Sequence, residues 1–163
     1  MATIPRRAPT RTLCAAALVA VSIAMSACDS DDGSAEDFAK SADRICRENQ
    51  REFAEIQRTP PKTADQAEKQ AEALIDVSQQ ALEELSELSP PEESAAAFDR
   101  YLEAREKAVG YLEDGRDAAA ANDPKAYAAA KRKTAAQQAS RLTLARRLGL
   151  QDCSRPSVSL GGA

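Results

Sequence analysis

The sequence predicts an all-α protein, an up-down-up-down antiparallel four-helix bundle closed by one disulfide. Three observations carry this expectation. Of 163 residues, 35 are Ala and only 6 are Gly, with 4% aromatic residues, a composition that favours helix over sheet. Four segments each bring their own start and stop signals and are joined by links of about 1 to 5 residues, short enough that consecutive helices must run antiparallel. Cys46 and Cys153 stand near the two ends of the helical region, where one bridge can tie them.

The first helix is expected over 35–58, with Ser34 as N-cap and Glu36 and Asp37 in the first turn, where the helix dipole favours acids. Phe38, Ala42, Ile45, Phe53 and Ile56 form its apolar stripe, and Thr59-Pro60-Pro61 stops it. The second is expected over 64–88. Thr63 and Gln66 open it as a capping box, and Ala67, Ala71, Leu74, Ser78, Ala81, Leu85 and Leu88 repeat in steps of four and three. Ser89 and Glu92 make a second capping box around Pro90-Pro91, opening a helix that runs to about residue 121. Its stripe is Phe98, Tyr101, Leu102, Ala108, Leu112, Gly115 and Ala119. Asn122-Asp123-Pro124 reads as a stop, a cap and a first-turn proline, so the fourth helix spans 124–148. Leu148-Gly149-Leu150 has the form of a Schellman ending, and the Ser- and Gly-rich tail, 156–163, is expected to be flexible.

Upstream of the bundle the chain reads as an address. Arg6, Arg7 and Arg11 precede an apolar run over 13–27, which is the pattern of a signal peptide at 1–27. Fifteen residues span roughly 22 Å, short of a hydrocarbon core of ~30 Å, so a permanent transmembrane helix is not expected. Met25-Ser26-Ala27-Cys28 resembles a bacterial lipobox, with Met25 where Leu is usual. The resemblance implies that Cys28 becomes a lipidated N-terminus, anchored to the outer side of the cell membrane by two or three acyl chains. Residues 28–34 then form an acidic linker. Read instead as a calcium loop starting at Asp29, the segment puts Gly33 fifth and Lys40 twelfth, where the EF-hand needs Gly sixth and Glu twelfth.

With Cys14 in the leader and Cys28 lipidated, Cys46 and Cys153 remain as an even pair in an oxidising compartment, which implies a disulfide. Lengths agree with the topology. Cys46 lies about 16 Å along the first helix, and five extended residues after Leu148 reach about 17 Å. Ala42-Asp43-Arg44-Ile45-Cys46 with Asn49, and Leu148-Gly149-Leu150 followed by Cys153, resemble the end segments of uncharacterised actinobacterial small helical lipoproteins. The resemblance implies the same bridge and the same location, and no activity.

Composition also excludes. With no His, the chain lacks Ser-His-Asp and Cys-His catalysis, His-ligated zinc and His-ligated haem. No Gly-rich phosphate loop, nucleophile elbow or metal-ligand cluster is present, so the expectation is no enzyme, no cofactor and no metal. Removing the leader takes away three Arg and no acid, leaving 19 basic against 26 acidic residues, a net charge of −7 that argues against nucleic acid.

Two functional readings remain. The leading one is an envelope interaction module that docks a protein partner through an exposed helix face. Its candidate is the basic fourth helix, with Lys125, Lys131, Arg132, Lys133, Arg141, Arg146 and Arg147, although carboxylates of neighbouring helices can also solvate such a face. The alternative is a carrier or sensor of a small anionic or amphiphilic ligand in the bundle interior. Asn49, Arg105, Thr134, Gln138 and Arg141 fall on or beside the inward stripes, and Arg105 with Arg141 suits an anion. Against that pocket stands the number of inner Ala residues, which should draw the helices close. Arg stems would then snorkel outward, with Asn49 fixing register.

Overall fold

The computed structural model describes residues 31–156. They form α1 (Asp31–Ile56), α2 (Ala64–Ser86), α3 (Glu92–Ala120) and α4 (Pro124–Arg147), with no strand among them. The leader 1–27, Cys28 and the tail beyond residue 156 lie outside the described residues. None of these helices is long and apolar enough to cross a membrane.

Local sequence sets most helix ends. Thr63 Oγ1 accepts from the Gln66 amide at 3.2 Å, while the Gln66 side chain accepts from the Lys62 amide at 2.8 Å, one residue earlier than in a standard capping box. Asp123 accepts from the amides of Lys125 and Ala126, with Pro124 following as predicted and Asn122 turning the chain at φ +52°. Gly149 sits at φ +72°, and the Leu150 amide reaches back to the Ala145 carbonyl at 3.0 Å, completing the Schellman motif.

Two ends differ from expectation. α1 starts at Asp31, so 31–34 is helix rather than linker and Ser34 is not its cap. One Gly lowers helix propensity by about 1 kcal/mol, which does not break a turn. At α3 the cap position falls on Pro91, with no side-chain cap bond. The two prolines extend the backbone before them and keep Ser89 from the first-turn amides.

The helices alternate in direction, α1 packing on α2, α2 on α3 and α3 on α4. Among the described residues no Cα of α1 comes within 8 Å of one of α4, so the outer pair leaves a seam between their backbones. At one end the seam is filled. Phe38, Ile45, Leu85, Phe98 and Tyr101 pack there with Ala145 and Leu150. Phe38 meets Phe98 edge-on at 4.9 Å, and Leu150, folded back by the Schellman turn, is fully buried.

The disulfide closes this end. Cys46 and Cys153 are bonded, with Cα atoms 5.0 Å apart. Asp43, one turn earlier on α1, accepts from the amides of Gln151, Asp152 and Cys153 at 3.0, 2.8 and 3.2 Å. Arg47 pairs with the carboxylate of Asp152, and Gln50 donates to its carbonyl. Residues 43, 46, 47 and 50 share one face of α1, so the turn after α4 is held by side chains as well as by sulfur.

Candidate functional site

Packing changes character in the other half of the bundle. From Phe53 on α1, Leu74 on α2, Val109 and Leu112 on α3, and Tyr127 on α4, side chains line a partly open cavity of about 120 Å³. Ala71, Ala108, Gly115 and Thr134 also line it. Small side chains let α3 lie close to α4, where a Cβ placed on Gly115 would stand 3.6 Å from that of Ala130. With α1 held away from α4, those same small residues leave a void between the remaining walls. The expectation that abundant Ala would exclude a pocket is therefore corrected.

Two guanidiniums meet at the boundary between the dense core and the cavity. Arg105 is 5% exposed and lines the cavity, so it does not snorkel. Its Nη1 donates to the Tyr101 hydroxyl at 3.1 Å and its Nη2 to Asn49 Oδ1 at 3.1 Å. Asn49 is itself held by a 2.9 Å bond from Nδ2 to the Val77 carbonyl, so α1 and α2 together aim Arg105. The Tyr101 hydroxyl lies 3.5 Å from Cys46 Sγ, and because a disulfide sulfur carries no hydrogen, the hydroxyl is the donor.

Arg141 enters from α4, partly exposed as a residue yet with a dehydrated guanidinium. Burial first, and the neighbouring Arg105 charge second, pull its pKa down to about 10. Among the described residues neither arginine is ion-paired with a carboxylate. Two like charges thus share a weakly solvated space without a counter-ion from the described residues.

Most other polar groups on the walls are committed elsewhere. Ser78 donates to the Leu74 carbonyl at 2.7 Å and Thr134 to the Ala130 carbonyl at 3.0 Å. Gln70 donates to the carbonyls of Ile56 and Thr59, finishing α1. The exposed Lys131 stands at the solvent edge, its ammonium 5.8 Å from the Tyr127 ring centroid.

Of the residues singled out by sequence, Arg105, Gln138, Arg141 and Thr134 come together on one cavity, and Asn49 supports Arg105 from behind. Cys46 and Cys153 form the bridge. Cys28 falls outside the described residues. Sequence reasoning missed the clasp of Asp43, Arg47 and Gln50, whose signal was their spacing around Cys46 on one helix face. No group of three or more His, Cys, Asp or Glu among the described residues is placed to hold a metal. No family model, curated protein or solved structure matches this chain.

Proposed function

We propose that this protein is a lipid-anchored extracytoplasmic binding protein for a small amphiphilic anion, acting by binding rather than by chemistry. One observation carries the binding reading: Arg105 and Arg141 face one cavity with no carboxylate partner among the described residues. An anion entering there restores the missing charge balance, and the apolar walls receive its body. Anchoring rests on the lipobox resemblance at Met25-Ser26-Ala27-Cys28 and on the apolar run before it. A protein partner docking on α4 has that helix's exposed cations in its favour, of which Lys133 alone is ion-paired among the described residues, with Asp114. Charge alone specifies no partner, whereas the cavity specifies a shape and a sign.

The binding reading is tested by melting the full protein in detergent at constant ionic strength while chloride is exchanged for short carboxylates. Tm rises for the wild type and stays flat for Arg141→Gln; a flat response in both removes the reading. For the anchor, mass spectrometry of native material should find Cys28 acylated and Cys28→Ser should shed the protein from membranes. An unmodified Cys28 overturns that part.

A further inference from the structure

Accepting the anion-binding reading, we infer that the occupant is a monocarboxylate whose apolar body is no larger than one aromatic ring, its carboxylate between Arg105 and Arg141 and its body against Leu74, Val109 and Leu112.

Size sets the body. The cavity of about 120 Å³ is somewhat smaller than a ~150 Å³ engineered cavity that admits benzene, so a single ring or a short branched alkyl group fills it. A long acyl chain would leave most of its length outside these walls, past Lys131 at the solvent edge. The donor inventory sets the head. Ser78, Thr134 and Gln70 spend their hydrogens on backbone carbonyls, so the charged donors for a ligand are the two guanidiniums inside and Lys131 at the solvent edge. Arg105 has five N–H groups, and its strong bonds to Tyr101 and Asn49 leave donors over. Two oxygens are served by two guanidinium forks. Any further phosphate oxygen turned toward Leu74 and Val109 would meet side chains that carry no donor and would be left stranded.

Titration calorimetry of the full protein in detergent tests this with four probes: benzoate, benzyl alcohol, inorganic phosphate and palmitate. Benzoate is expected to bind saturably at one site, with benzyl alcohol at least tenfold weaker. Ala108→Leu fills the cavity while keeping both arginines and should weaken benzoate at least tenfold while the protein still melts cooperatively. Should that variant fail to fold, Gly115→Val narrows the same space, its Cβ meeting only ordinary contacts. Phosphate or palmitate binding without benzoate overturns the ligand class and leaves anion binding standing. No binding by any anion overturns both. Benzoate affinity unchanged in the filled variants places the ligand elsewhere and also overturns the inference.

Discussion

Arg141 illustrates how a buried charge works against its own fold. Its folded-state pKa lies below the ordinary arginine value, so between about pH 10 and that value the unfolded chain binds more protons than the folded one. Stability from this group therefore rises with pH across that window, and below pH 10 its penalty is fully present. Arg141→Gln is expected to raise the denaturation midpoint of the ligand-free protein at pH 7 by on the order of 1 kcal/mol, while abolishing carboxylate binding. A lower midpoint would mean that the guanidinium stabilises the empty protein. Arg105 behaves oppositely, because Arg105→Leu strands Asn49 Oδ1 and removes the donor to the Tyr101 oxygen; chemical denaturation should show a loss of about 1–3 kcal/mol. Both arginines were legible in sequence as cations beside apolar stripes. Their mutual approach was not, since periodicity fixes the face a side chain occupies and not which neighbour it meets.

Among the elements, helix ends read most clearly where one residue does one job. Asp123 and Gly149 perform as their residue types require, whereas Ser89 lost its cap because two prolines intervened between signal and helix. Gly149→Ala places a side chain at φ +72°, and thermal melts should show a loss of about 1 kcal/mol. Gly110 gives the matching control: it lies inside α3 at ordinary φ, with nothing within 4 Å of an added Cβ, so Gly110→Ala should gain up to about 1 kcal/mol. Equal effects at the two positions would contradict the Schellman assignment. The α2 stripe matched its burial closely, with Ala67, Ala71, Leu74, Ser78, Ala81 and Leu85 all inside. α4 was harder to read. Only Ala130 and Ala145 of that helix are buried, because its backbone lies close to α3 alone and a second helix meets it only at the core end.

At the scale of the molecule, link lengths made the topology legible and the cysteine pair set which ends meet. The seam between α1 and α4 was not, because alanine content speaks to how close two helices can come and says nothing about a pair whose backbones stay apart. Reducing Cys46–Cys153 frees a loop of about 108 residues and should lower Tm, with a loss of up to about 4–5 kcal/mol in the chain-entropy limit, while circular dichroism keeps its helical signal. An unchanged Tm would show that Asp43, Arg47 and Gln50 hold the terminal turn without help from sulfur. The order of the helices has a further consequence for how the chain reaches this state. Close backbone packing links each rod only to the one before or after it in the chain, so these contacts are near in sequence and assembly should be fast, proceeding hairpin by hairpin. The clasp joins the most distant stretches, and oxidation then seals a shape already made.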